Sequence, residues 1–289
     1  MSSIVEKAWR SVWCLLMVGF VATPTSAQQP PKPDSGVVMA VGIDLVNQYM
    51  FRGVRQNTTG IAVWPSADLT ARVFSSDGVL KRVNLTAGFW NSLHTGDTGS
   101  SGPIGKPWYE SRISGTVGLQ FGGGVSVAPT YTAYTSPSDL FTTVKELVIK
   151  LALDDSRRLA RAAMHPYALF AFELDAAPGV GQLDGGRRAG RYLEVGATPA
   201  YSARLAAIAV PVRVGLSLSD YYELAGNDHS FGFASVGAMV TAPVGGRSKI
   251  GGWNVHGGVE IQAFGETTKV FNGGDRSKVI ASFGVGLTR

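Results

Sequence analysis

Read two residues at a time, the stretch from Val37 to Gln56 divides into two unlike faces. Val37, Met39, Val41, Ile43, Leu45, Tyr49 and Phe51 lie on one, and Ala40, Gly42, Asp44, Gln48 and Arg52 on the other. That is the two-residue period of a strand. The apolar face is long enough to cross a hydrocarbon layer, which takes about 9 to 11 tilted strand residues, and Tyr49 and Phe51 fall where an interfacial aromatic girdle belongs. The stretch is therefore predicted to be the first strand of a membrane-spanning barrel.

The same alternation recurs along the chain. Val63, Ala67, Leu69, Ala71 and Val73 oppose Trp64, Ser66, Asp68, Thr70 and Arg72, and Val83, Leu85, Ala87 and Phe89 oppose Arg82, Asn84, Thr86 and Trp90. Further strands are predicted over 109–121, 125–135, 141–153, 164–175, 191–201, 205–219, 231–240 (with no definite phase), 253–264 and 279–287. The count is about twelve, an even number as single-chain bacterial barrels require. Connectors alternate between tight (75–78, 122–124, 202–204) and long or polar (52–60, 94–106, 176–188, 266–277), as in barrels with short turns at one end and longer loops at the other. Two on the turn side are longer than expected: 155–163, read as a short helical turn, and 243–251. A soluble sandwich alternates too, but these apolar faces are long for one and its sheet edges would be unmanaged unless the sheet closes. The expected fold is all-β, a transmembrane antiparallel up-and-down β-barrel over residues 37–289.

The segment NQYMFRGVRQ, residues 47–56, resembles the S-[DN]-Y-x-F-R-G-x-S-Q signature of a group of uncharacterised Gram-negative outer-membrane β-barrel proteins, conserved hypothetical proteins of the Gcw_chp type. Tyr49, Phe51, Arg52, Gly53 and Gln56 match, whereas Asn47, Gln48 and Arg55 depart from it. The resemblance implies an outer-membrane barrel and no particular activity.

Residues 1–27 place Lys7 and Arg10 before the apolar run WCLLMVGFVA and end in Ser26 and Ala27, the pattern of a secretory signal peptide, with an apolar core too short to span a membrane as a helix. Residues 28–36, QQPPKPDSG, read as a Pro-rich periplasmic linker. Cys14, inside the leader, is the one cysteine of the chain, so no disulfide framework is available. The formal net charge of +5 is mild and unclustered, which argues against a nucleic-acid partner. No run beyond the leader is long and apolar enough for an inner-membrane helix. The expected partners are outer-membrane lipid, the barrel assembly machinery and small hydrophilic solutes; the oligomeric state is left open. The chain closes on Arg289, with Phe283 its nearest aromatic residue, where such barrels usually end on an aromatic side chain.

Candidate chemistry is sparse. A lipid-hydrolysing barrel needs Ser and His on one face of one strand, as His-x-Ser supplies. His94, His165, His229 and His256 are followed by Thr-Gly, Pro-Tyr, Ser-Phe and Gly-Gly, so no His-x-Ser is present. His165 and His256 are read as lumen residues and His94 and His229 as rim residues. No metal spacing appears, and no cofactor or enzymatic activity is implied. The ionisable residues on the polar faces are Asp44, Arg52, Asp68, Arg72, Arg82, Glu110, Arg112, Glu146, Lys150, Glu173, Glu194, Arg213 and Glu260. With both signs in near balance, they can line a water path or pair off into a closed core. The leading expectation is a narrow channel for small hydrophilic solutes or ions, with 94–106 and 266–277 as candidate constrictions. A non-conducting structural or docking barrel is the alternative, and an envelope lipid-modifying enzyme a remote one. Arg52 is expected to bridge lumen carboxylates such as Asp44 or Glu110, with Gly53 letting the chain turn.

Overall fold

The alternating segments fold into strands, each paired with its neighbours in sequence, in a computed structural model that describes residues 36–98, 105–174, 188–203, 205–248 and 251–289. The strands are β1 (Val37–Val46), β2 (Ala62–Ser75), β3 (Leu80–His94), β4 (Trp108–Phe121), β5 (Val125–Thr135), β6 (Val144–Leu153), β7 (Tyr167–Glu173), β8 (Arg191–Ala197, resumed at Ala200–Ser202), β9 (Ala207–Ala209, resumed at Val212–Ser219), β10 (Phe231–Ser248), β11 (Gly251–Phe264) and β12 (Ser277–Thr288). All pairings are antiparallel, and β1 closes the ring on β12 with Ala40 opposite Thr288 and Val46 opposite Ser282. Met39 and Arg289 lock the seam with two backbone hydrogen bonds of 2.9 Å, one in each direction. The result is a closed twelve-stranded up-and-down barrel. Closure satisfies every strand edge internally, as a wall in contact with lipid needs.

The breaks in β8 and β9 have a chemical cause. Pro199 and Pro211 lie in the two interruptions, and proline has no N–H to give to a ladder. The pairing resumes beyond them, with Ala200 opposite Ala209 and Ala197 opposite Val212.

The alternation sorts side chains as the sequence predicts. Ile113 (64 %), Val73 (54 %) and Phe283 (54 %) are exposed on the outer wall, together with Met39, Leu69, Phe89 and Ile261. Asn84, Thr116, Thr130, Glu260 and Gln262 are buried on the inner one. An apolar exterior around a polar interior is the arrangement of a membrane-spanning barrel and the reverse of a soluble one. The undecided phase over 231–240 resolves with Phe233, Ser235 and Met239 inside and Val236 and Val240 outside.

Several boundaries differ from expectation. The 243–251 stretch is not a connector, because β10 runs through it to Ser248 before turning into β11. Strand β6 starts at Val144 rather than residue 141, and Leu140 and Phe141 instead pack against a buried aromatic cluster. The turn-side connector 154–166 carries the expected helical turn, α1 (Ser156–Leu159), and 265–276 folds into a second short helix, α2 (Glu266–Phe271). No described helix is long and apolar enough to cross a membrane. The largest difference is at β1, which ends at Val46 instead of continuing to Gln56. The predicted leader and nearly all of the linker lie outside the described residues.

The two ends of the barrel are unlike. The turn end holds the start of β1, the end of β12 and the connectors 76–79, 122–124 and 154–166 with residues 203, 205 and 206. The loop end holds 47–61, 95–98, 105–107, 136–143, 188–190, 220–230 and 265–276.

Candidate functional site: a lumen filled by the first loop

After Val46 the chain leaves the wall and enters the barrel. Met50–Phe51 and Val54–Arg55 pair as a miniature hairpin with Arg52 (φ 46°) and Gly53 (φ 82°) at its tip. Two successive positive φ values make the two-residue turn that best suits a hairpin's twist. Arginine rarely adopts that conformation, and its surroundings show what holds it there. Arg52 is 2 % exposed and Glu146, on β6, is 0 %. The guanidinium grips the carboxylate with two hydrogen bonds, Nη1 to Oε2 at 2.6 Å and Nη2 to Oε1 at 2.9 Å. Tyr134 donates to Glu146 Oε1 at 3.0 Å, Arg52 Nη1 also donates to the Tyr221 hydroxyl, and the guanidinium lies 4.3 Å from the centre of the Tyr192 ring. A bidentate pair with each carboxylate oxygen satisfied is what makes a buried charge pair tolerable.

The hairpin backbone is bonded as thoroughly. Tyr222 donates its hydroxyl to Arg52 O at 2.8 Å. Asn272, just beyond α2, donates to Gly53 O and accepts from Arg55 N, both at 2.8 Å. Tyr49 N donates to Asn57 Oδ1 at 2.7 Å and Gln48 Nε2 to Asn57 O at 3.0 Å, closing the loop on itself. On the return limb Asp97 accepts from the backbone N–H of Thr58 and Thr59. Desolvation, the largest single effect, works the other way, yet these donors and the Thr59 hydroxyl together hold the Asp97 carboxyl below its ordinary range.

Tyr49 and Phe51 therefore do not sit in an interfacial girdle. They are 0 % and 3 % exposed inside the lumen, because the chain turns inward at Asn47 and the strand period no longer applies. Tyr49 stands edge-on to Trp64 and Trp90, and Phe51 to Tyr134. The Tyr49 hydroxyl meets Glu110 at 3.1 Å and also bonds Arg112. Across the lumen a second cluster of Val148, Leu169, Tyr192, Tyr221, Tyr222 and Phe233 completes the filling.

Of the predicted lumen residues, Arg52 and Glu146 come together as described; Asp44 and Glu110, the partners foreseen for Arg52, are engaged elsewhere. Glu110 pairs with Arg112 two residues along β4, and Arg112 lies 4.0 Å from the Trp90 ring centre. Asp44 meets His256 Nε2 at 2.7 Å. Arg213 pairs with Glu260, which also accepts from Gln262 at 2.8 Å. Glu194 accepts from the hydroxyls of Tyr167 at 2.7 Å and Tyr192 at 2.8 Å, while Lys150 lies 4.4 Å from the Tyr167 ring centre. Glu173 accepts from Gly190 N at 2.7 Å. Asp68, Arg72 and Arg82 belong to the turn-end part of the wall, where Arg72 registers with Asn84 and Arg82 with Ser75 and Gln120. These three are only half-buried.

The histidines divide differently from expectation. His256 is a lumen residue, whereas His165 sits in the turn-end connector with Nδ1 3.7 Å from Asp154 and 3.8 Å from Asp155. His229 is at the loop end, and His94 is buried in the aromatic cluster, stacked on Tyr109. Ser92 lies two residues before His94 and therefore on the same strand face, a spacing that a search only for serine after histidine misses. Ser92 Oγ is 2.9 Å from His94 Nε2 and accepts from Trp64 Nε1 at 3.0 Å. The serine is 0 % exposed and the histidine 2 %, so both lie within the filled part of the lumen. No group of three or more metal-ligating side chains occurs among the described residues.

No family model matches the chain, and no curated protein matches it. Solved structures similar to it are barrels. The NanC porin is 10 % identical over 86 % of this chain and 98 % of its own, with a TM-score of 0.47. The translocator domain of autotransporter NalP from Neisseria meningitidis is 14 % identical over 89 % of each chain, with a TM-score of 0.43. The beta domain of the Bordetella autotransporter Brka is 13 % identical over 88 % of this chain and 98 % of its own, with a TM-score of 0.39.

Proposed function

We propose that the chain is an outer-membrane barrel held closed by its own first loop, a non-conducting structural barrel in the conformation described here. The observation that carries this reading is the bidentate Arg52–Glu146 pair, with both side chains at or near zero exposure at the tip of the inserted hairpin. An ion path through that level would need the pair broken and the aromatic packing around it displaced. The apolar outer wall supports the membrane location, with insertion after secretion. The resemblance to the Gcw_chp type is part of the same reading. Its shared residues Tyr49, Phe51, Arg52, Gly53 and Gln56 are residues of the inserted loop, which gives that pattern a physical role as a built-in plug.

The half-buried Asp68, Arg72 and Arg82 toward the turn end favour a second reading, a narrow channel for small hydrophilic solutes or ions that conducts when the hairpin withdraws. Planar-bilayer recording separates the two. The intact protein is expected to be silent, and a variant with 48–56 replaced by a short Gly-Ser link to conduct. Discrete conductance steps from intact, folded protein would overturn the closed reading. Fractionation tests the location: the protein is expected in the outer membrane with a heat-dependent gel shift, and recovery as a soluble periplasmic protein would overturn it.

A further inference from the structure

At the loop end, where β10 begins and β11 ends, a cleft of about 420 Å³ opens between the 220–230 connector and α2. His229, Phe231, Phe264, Glu266, Lys269 and Arg276 line it. Its frame is fixed. Thr267 and Thr268 of α2 are fully buried and donate their hydroxyls to Tyr222 O and Gly232 O. Phe264 N donates to Arg276 O at 3.0 Å, which sets Arg276 beside the end of β11.

Around this cleft the cations Arg55, Lys269, Arg276 and Lys278 outnumber the carboxylates Glu266 and Asp275. Glu266 is engaged by His229 Nδ1 at 3.0 Å, and nearby Asp275 by Lys278 at 3.0 Å and Arg55 at 3.8 Å. Lys269 and Arg276 make no ion pair or side-chain hydrogen bond among the described residues. Two cations that no carboxylate of the described residues pairs with, two phenyl rings and the adjacent His229 and Glu266 side chains thus share one preformed concavity, of a size that small-molecule sites commonly have.

We propose that this cleft binds a phosphorylated saccharide. Two cations match a dianionic phosphate monoester better than a singly charged carboxylate, and a guanidinium presents the paired N–H groups that phosphate oxygens accept. Phe231 and Phe264 supply flat apolar surfaces for the C–H face of a sugar ring, and His229 with Glu266 supplies donors and acceptors for its hydroxyls. The same chemistry occurs in a soluble sugar phosphate and in the headgroup of a phosphorylated glycolipid.

The test uses the full chain purified in detergent, titrated calorimetrically with glucose 6-phosphate, glucose and inorganic phosphate. Glucose 6-phosphate is expected to bind more tightly than either fragment and more weakly as salt is raised. Lys269→Gln combined with Arg276→Gln should weaken it about tenfold or more, with an unchanged gel shift showing that the fold is kept. A second arm uses vesicles carrying a glycolipid with or without its phosphate. Phosphate-dependent retention, lost in the double variant, marks a lipid source, and binding of the free sugar phosphate alone marks a soluble one. Absence of saturable binding in both arms, equal binding of glucose and glucose 6-phosphate without phosphate-dependent retention, or a double variant within about twofold of the parent would overturn the site. Binding is read here without conductance, so the outcome is independent of whether the lumen is open.

Discussion

The loop-end and turn-end halves of the lumen are made from the same wall and filled by opposite means. Toward the loop end, Tyr49, Arg52, Trp64, Tyr134, Glu146, Tyr192 and Tyr222 are all 2 % exposed or less, and the two charges at the centre satisfy each other. Toward the turn end, Asp68, Arg72, Arg82, Gln120 and Ser126 are half-buried. A ring of twelve strands is too wide for its own inward side chains to close. The loop-end half is filled by a piece of chain that leaves the wall, whereas the turn-end half is lined by wall side chains, of which Asn84 and Ala128 are buried and Asp68, Arg72 and Arg82 half-buried. The filling of the loop-end level is thus set by a loop rather than by the sheet.

Breaking the central ion pair should collapse the difference between the halves most strongly. Glu146→Ala leaves the Arg52 guanidinium buried without its carboxylate, and loss of one partner of such a pair costs about 3–5 kcal/mol. Heat-modifiability on unheated gels should fall sharply. Lys278→Ala, which removes a partly exposed pair with Asp275, should cost about 1 kcal/mol or less. Equal losses would mean that the hairpin is not clamped.

Single cysteines sharpen the comparison, since Cys14 in the predicted leader is the only native one. Ser126→Cys should react with a small polar thiol reagent on the order of a hundredfold faster than Ser92→Cys, because a buried thiol waits for local opening. Similar rates would show that water reaches both halves. A smaller effect is expected at the tip of the hairpin. Gly53 has φ 82°, and a Cβ there would lie 2.9 Å from the Phe233 ring, so Gly53→Ala should destabilise by about 1–3 kcal/mol, read as a lower melting temperature.

The smallest effect belongs to the turn end. Some desolvation opposes it, but the backbone N–H groups of His165 and Met164 hold the Asp155 carboxyl below its ordinary value. A depressed folded-state value contributes stability above the unfolded value of about 4, and that contribution disappears as pH falls through the folded one. Asp155→Asn should remove this part of the acid dependence, so the melting temperatures of parent and variant should converge below about pH 4. A constant gap at all pH values would assign the effect to packing instead.

The wall was legible because each strand residue has one neighbour on each side and a fixed facing. The alternation of Leu69 with Asp68 or Ile261 with Glu260 states both position and environment. The inserted hairpin was legible as a motif and not as a place. Residues 47–56 continue the alternation for a few positions beyond Val46, so the period extends Tyr49 and Phe51 onto the outer wall. The turn inward is made by Asn47, Asn57 and Asp97 acting on backbone groups, which carries no periodic signal. Arg52 stood out in sequence as a charge beside Gly53. Its partner could not be chosen, since Glu146 is one of several acids with the same facing and the choice depends on how far a hairpin reaches across the lumen. Ser92 and His94 were within reach of the same reasoning, which required only that the spacing be taken in both directions.

The contacts of the hairpin are also far apart along the chain. Arg52 reaches Glu146 across 94 residues and the Tyr222 hydroxyl across 170, and Gly53 reaches Asn272 across 219. A segment near the beginning of the barrel thus obtains its last partner only when the connector before the final strand has arrived. Bringing such distant groups together carries a loop-closure cost that is recovered only after the contacts form. The first loop is therefore held from all sides only in the finished ring, because Asn47 at its start also bonds Val279 and Ala281 of β12.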